Sequence, residues 1–175
     1  MTEHEADPGT LFAEVGLQFD HVAIAAPRLR DLLPLYRDAL GGILVLGADN
    51  PEVGWRCLRL RLESGAVMEL MEPLRGSTFL DSFFERTGGG GLHHLTFLAD
   101  DLPLAAKLLR DKGYEPIRDP DPDAAYQELF LHPRTTGGVL LQVQKRMPGP
   151  AGPPPHTVED ILAGHGWNGT GVPSP

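Results

Sequence analysis

The stretch FDHVAIAAPRLRDLLPLYRDALGG, residues 19–42, decides the fold, because LHHLTFLADDLPLAAKLLRDKGYEP, residues 92–116, repeats its design. Each reads as a short strand, a turn, then an amphipathic helix closed by glycine. In the first copy Val22 and Ile24 alternate with His21, Ala23 and Ala25, which is the period of a strand. Leu29, Leu32, Leu33, Tyr36 and Leu40 then fall at helical spacing up to Gly41-Gly42. In the second copy Leu95 and Phe97 alternate with His94 and Thr96, Pro103 suits a first helical turn, and Leu104, Ala105, Leu108 and Leu109 form the apolar stripe before Gly113.

The repeat keeps one offset. His94 follows His21 by 73 residues, and the same step carries ESGAVMEL (63–70) onto TGGVLLQV (136–143), setting Gly138 against Gly65 and Gln142 against Glu69. A fixed offset that survives across a strand, a helix and a closing hairpin predicts a duplicated module. Further strand candidates at 55–62 and 126–131 complete each copy as βαβββ. The expectation is an α+β domain over 17–146, with modules at about 17–75 and 91–146 forming a curved eight-stranded sheet around a metal cleft. Residues 1–16 are expected to be a flexible N-terminal segment, and 147–175, opening with MPGPAGPPP, a Pro/Gly-rich C-terminal tail. Inside that tail, Thr157 followed by Asp160 predicts a short capped helix, with His165 and Trp167 beyond it.

A chain of 175 residues with 41% hydrophobic content can fill one core without disulfides. A net charge of −9 and a pI near 5.1 argue against nucleic acid as a partner, since phosphate binding needs clustered positive charge. They leave room for an anionic small molecule held by an arginine such as Arg59 or Arg61, residues that otherwise read as a solvated strand face. The opening MTEHEADPGT lacks the basic and apolar regions of a secretory signal, and no apolar run approaches the roughly 18 residues of a membrane span. Cys57 is the sole cysteine, so no disulfide forms within the chain. A cytoplasmic protein with no membrane partner is expected. Cys57 itself lies in the alternating run Arg56-Cys57-Leu58-Arg59-Leu60 and reads as a buried strand thiol.

The chemistry concentrates in four polar residues at equivalent places on apolar strands: His21 with Glu69, and His94 with Gln142, each pair 48 residues apart. Singly, each histidine reads as a hydrogen-bonded core residue. Four such residues in one duplicated frame read as a ligand set. Glu69, between Met68 and Leu70, needs a cation or several donors if it faces inward. Two imidazoles, a carboxylate and an amide oxygen suit a divalent metal ion, with Co, Zn, Ni, Mn and Fe all open; two histidines and a carboxylate also match the facial triad of non-haem iron. His94 rather than His93 is the candidate, since neighbouring strand residues face opposite ways, and His132 beside Pro133 reads as structural.

Taken together, FDHVAIA (19–25), ELMEPL (69–74), GGGLHHLTF (89–97) and FLHPRTTGGVLLQV (130–143) resemble the vicinal oxygen chelate superfamily of glyoxalase, bleomycin resistance and dioxygenase proteins. Within it the resemblance is to the methylmalonyl-CoA epimerases, over about Phe19 to Gln144. That resemblance implies metal histidines at His21 and His94, the opening module's ligand at Glu69, and the closing strand's ligand at Gln142, where the family carries a carboxylate. It implies a proton-abstracting base at Glu52, in Pro51-Glu52-Val53-Gly54. It further implies a metal-dependent isomerase or epimerase working next to a carbonyl, a small-molecule substrate of the acyl-CoA class, and a homodimer. RDPDPDAAYQELFLHP (118–133) departs from the family's glycine-rich stretch near the acyl-CoA. The same scaffold also supports an iron dioxygenase, or a drug-binding protein that catalyses nothing.

Overall fold

The computed structural model describes residues 9–121, 123, 126–147 and 154–165. In chain order these form α1 (Leu11–Val15), β1 (Gln18–Ala25), β2 (Ile43–Asn50), β3 (Trp55–Arg61), β4 (Val67–Pro73), α2 (Asp81–Thr87), β5 (Gly91–Ala99), α3 (Leu102–Asp111), β6 (Glu128–Leu131), β7 (Leu140–Lys145) and α4 (Val158–Leu162). The class is α+β, as expected, with strand order β2-β3-β4-β1 in one unit and β5-β7-β6 in the other. Seven strands stand among the described residues, not the eight expected. Among the described residues the second copy has no counterpart of β2: between α3 and β6, Pro116 makes a single bridge to Leu131 and the chain then runs into Pro120 and Asp121. Proline cannot donate to a ladder, so Pro116 and Pro120 do not extend the sheet. Among the described residues no helix is long and apolar enough to cross a membrane.

The chain divides into two compact units. One comprises His21–His93 with the described residues of Gly149–Pro175. Here β2, β3 and β4 are antiparallel neighbours and β1 runs parallel to β4. Alternation sends Leu58, Leu60 and Leu70 to one face, where they pack with Leu29, Leu33, Val158 and Ile161. The opposite face carries Ala23, Cys57 and Met71, packed with Leu80 and Phe83. The segment read as one helix after β1 is instead a 3₁₀ turn over Leu29–Asp31 and a π-helical turn over Pro34–Ala39. Pro34 is the physical reason, since it brings no N–H to the middle of the segment and forces the helix to restart there.

Helix α4 is part of this unit's core. Thr157 and Asp160 form the expected capping box, and Ile161 is fully buried over β2 at Gly47, where a Cβ would collide with the isoleucine side chain. Arg56 ties the helix down from β3 by donating to the Leu162 carbonyl at 2.9 Å while pairing with Asp49 and Glu72. Trp167 lies outside the described residues.

The other unit comprises the described residues of Met1–Asp20 and His94–Pro148. In it β5 is parallel to β7, and β7 antiparallel to β6. Helix α3 lays Leu102, Ala105, Ala106 and Leu109 against Leu129, Leu131 and Val143, and α1 adds Val15 to the same cluster. This core reaches back into a segment expected to be flexible, because Thr10 caps α1 and Val15 is buried.

The duplication is written in the strand register. Ala23 stands opposite Glu69 across β1 and β4, and Thr96 stands opposite Gln142 across β5 and β7, each residue of the second pair 73 positions after its counterpart in the first.

Candidate metal centre

Because side chains alternate along a strand, His21 shares a face with Ala23, and hence with Glu69 on the neighbouring strand. The structure bears this out: His21 and Glu69 are both buried, with His21 Nε2 3.4 Å from Glu69 Oε2. On the other side of β4, Arg59 is the register partner of Glu69, and its Nε–H donates to the same Oε2 at 2.6 Å. A carboxylate between Met68 and Leu70 is thus held by a guanidinium rather than left to pay full desolvation. Arg61, two residues on, is exposed, so of the two arginines considered for anion binding only Arg59 is drawn onto this face.

In the second copy His94 and Thr96 share a face of β5, and Thr96 is the partner of Gln142. All three are buried. The Thr96 hydroxyl donates to Gln142 Oε1 at 2.7 Å, and Gln142 Nε2 donates to Glu128 Oε2 at 2.7 Å, which fixes the amide's orientation. The amide oxygen has a second lone pair, which is what a metal would require of it. Glu128 is a residue the sequence reading missed. It sits on β6 beside Gln144, and nothing in the 73-residue frame marks it, because the β6–β7 connection is longer than the β3–β4 connection.

In one unit His21 Nε2 and Glu69 Oε2 are buried 3.4 Å apart, and in the other His94 and Gln142 are buried at the positions 73 residues on. The donor set fits a divalent ion of the borderline class: two imidazole nitrogens and one carboxylate oxygen, all buried. The sequence does not choose among Co, Zn, Ni, Mn and Fe, and neither does this arrangement.

His93 packs edge-on against Phe83 with ring centroids 4.9 Å apart. Burial lowers its pKa, with Glu69 opposing that shift. His132 caps the turn Pro133–Thr135, its Nδ1 accepting from the Arg134 N–H, which is a structural role. Cys57 is buried on the Glu69 face, and burial first, then the Glu69 charge, push its thiol well above the usual range. Glu52 is not brought to this face. It is exposed in the turn between β2 and β3, a turn that contributes Pro51, Val53 and Gly54 to an open cavity of about 560 Å³ shared with residues 74–79.

The chain matches the family described as the Glyoxalase/Bleomycin resistance protein/Dioxygenase superfamily over residues 20–129. Mitochondrial methylmalonyl-CoA epimerase of Mus musculus is 30% identical over 130 residues, covering 73% of this chain and 72% of the relative. Ethylmalonyl-CoA/methylmalonyl-CoA epimerase of Cereibacter sphaeroides is 28% identical over 131 residues, covering 73% and 97%. The crystal structure of methylmalonyl-CoA epimerase from Mycobacterium tuberculosis superposes with a TM-score of 0.67 at 30% identity, over 83% of this chain and 95% of that one.

Proposed function

We propose that this chain, which belongs to the Glyoxalase/Bleomycin resistance protein/Dioxygenase superfamily, is a metal-dependent epimerase or isomerase that moves a proton at the carbon next to the carbonyl of an acyl-CoA. The observation that carries the reading is the buried pair of His21 Nε2 and Glu69 Oε2, 3.4 Å apart, matched 73 positions on by the buried His94 and Gln142. Support also comes from relatives and neighbouring structures that are methylmalonyl-CoA epimerases.

His21, Glu69, His94 and Gln142 are the ligand set of this reading. When bound, a divalent ion supplies a Lewis acid that polarises a carbonyl and makes the neighbouring C–H acidic. The residues around it do the rest. Arg59 holds and aims the Glu69 carboxylate, Thr96 and Glu128 hold the Gln142 amide with its oxygen orientation fixed, and the apolar Ala23, Met71 and Phe83 pack on the Glu69 face. The resemblance assigns proton abstraction to Glu52. Cys57, though on the ligand face, is a poor base, because burial keeps its thiol protonated. The homodimer comes from the same analogy and is tested by light scattering of the purified protein.

The deciding experiment measures metal content of protein purified without added metal, then substrate-dependent deuterium exchange into methylmalonyl-CoA in deuterated water. Stoichiometric metal with exchange at the α-carbon is the expected result. Metal without exchange, accompanied by oxygen uptake on a vicinal diol, would favour the dioxygenase chemistry that two histidines and a carboxylate also permit. Failure to bind any divalent metal would leave only small-molecule sequestration.

A further inference from the structure

Gln142 is by itself a poor ligand. Its amide carries no net charge, and the flat group presents oxygen or NH2 at the same reach, so it holds a cation only where a neighbour sets its direction and polarity. That neighbour is Glu128. Gln142 is buried on β7, its Nε2 donates to Glu128 Oε2 at 2.7 Å, and the Thr96 hydroxyl donates to Gln142 Oε1 at 2.7 Å. The register of Glu128 with Gln144 and of Phe130 with Gln142 sets Glu128 on the Gln142 face, while Leu129, Leu131 and Val143 take the other face against α3. Glu128 is the one carboxylate carried by β5, β6 and β7, and its side chain is mostly buried. Arg118 lies 3.5 Å from its other oxygen, but that guanidinium is 68% exposed and offsets the charge only weakly.

We infer that Glu128 is the positioning residue that makes Gln142 a metal ligand, lending the amide the negative charge it lacks and reserving its oxygen for the ion. This rests on the metal reading above and deepens it. A carboxylate accepts and does not donate, so Gln142 turns its NH2 to Glu128 and cannot present that group to a cation. The N–H donated to an anion is charge-assisted, and it polarises the amide so that negative charge gathers on Oε1. Thr96 takes one lone pair of that oxygen and leaves the other for the metal. Glu128, Gln142 and Thr96 all belong to one unit, so the device is complete within it.

The test titrates cobalt into the full chain by calorimetry, with the visible spectrum of the bound cobalt as a second readout. Glu128→Gln keeps an acceptor for Gln142 Nε2 but drops the charge, and Glu128→Met drops both. Cobalt affinity should fall by about 10-fold in the first and about 100-fold in the second, the range for a hydrogen-bond partner of a ligand. In a Gln142→Glu background the sign should change: residue 142 then carries its own charge and binds through either oxygen, so adding Glu128→Gln should cost no affinity and is expected to raise it. A residue that merely supports the fold would cost affinity in both backgrounds. If Glu128→Met does not fold, Glu128→Gln, alone and with Gln142→Glu, carries the comparison. Equal cobalt affinity in wild type and Glu128→Gln, or the same loss in both backgrounds, overturns the role of Glu128 and leaves the metal reading standing. If wild type binds no cobalt, the metal reading itself falls, and the inference with it.

Discussion

Arg59 and His21 approach one oxygen of Glu69, at 2.6 Å and 3.4 Å, from strands on either side of β4. The carboxylate therefore sits between a permanent cation and an imidazole that can accept a metal. Replacing a ligand changes the balance at this oxygen first. His21→Ala and His94→Ala should each lower divalent-metal affinity by about 100-fold or more, since even a hydrogen-bond partner of a metal ligand is worth roughly 10- to 100-fold. Folding should largely survive. Metal titration of each variant checks this, and His93→Ala serves as the control that should keep its metal. Loss of metal in His93→Ala with retention in His94→Ala would sink the four-ligand assignment.

Glu52→Gln should keep full metal content yet lose proton exchange at the substrate's α-carbon. The exposed position of Glu52 on the β2–β3 turn makes this the sharpest test of what the resemblance implies. If exchange continues at the wild-type rate, the base is another group, and Glu69 is the next residue to substitute. A fall of about 100-fold or more in exchange is the size expected for removing a general base.

How much of this could be read from the sequence depends on the residue. His21, Glu69, His94 and Gln142 stood out because each interrupts an apolar strand at a repeated position, and the register of Ala23 with Glu69 and Thr96 with Gln142 follows that repeat. Arg59 stood beside Arg61 as an anion-binding candidate, but its pairing with Glu69 was not legible. Strand β3 carries arginines on both faces and both faces are covered, so alternation alone could not say that Arg59 meets Glu69 while Arg56 meets Asp49 and Glu72. Glu128 was illegible for another reason, since it reaches Gln142 from a strand whose connection breaks the 73-residue frame. The docking of α4 depends on Gly47 being bare, a match between residues more than a hundred positions apart that no local pattern reveals.

Gln142→Glu would restore a carboxylate where the resembling family has one, but the structure adds a cost. Gln142 Nε2 donates to Glu128 at 2.7 Å, and the substitution turns that hydrogen bond into a pair of facing carboxylates. Without metal the variant should melt lower than wild type, and Glu128→Gln in the same chain should recover the loss. With metal present the single variant should regain stability, because the cation separates the two charges. Thermal melts with and without cobalt give the comparison.

Cys57 should be inert in the folded protein. Burial and the neighbouring Glu69 hold its thiol neutral, so a thiol-reactive dye at pH 8 should label it only on unfolding in denaturant. Rapid labelling of the native chain would mean that the β3 face opens to solvent far more often than its packing against Met71 and Phe83 suggests.

Ile161→Ala should lower stability by roughly 2–5 kcal/mol, the range for truncating a large buried aliphatic residue, with the lower end expected because α4 is short. Gly47→Val should have a similar effect from the other side of the contact, since a side chain there occupies the space of Ile161. The helix also carries a pH signature. Hydrogen bonds from Thr157, its backbone N–H first, hold the Asp160 carboxyl below its ordinary 3.8. A depressed folded pKa means that the cap contributes above the unfolded value and is lost as pH falls through the lower folded one. Asp160 is exposed, so the effect is small and should show as earlier acid loosening of α4 rather than global unfolding. Hydrogen exchange at Ile161 and Leu162 between about pH 5 and 3, around the ordinary carboxylate pKa, reads it directly. If metal affinity is unchanged in Ile161→Ala while the melting temperature drops, the helix acts as a brace for the face of β2–β4 opposite Glu69. A loss of metal affinity matching the loss of stability would instead mean that the brace also sets the ligand geometry.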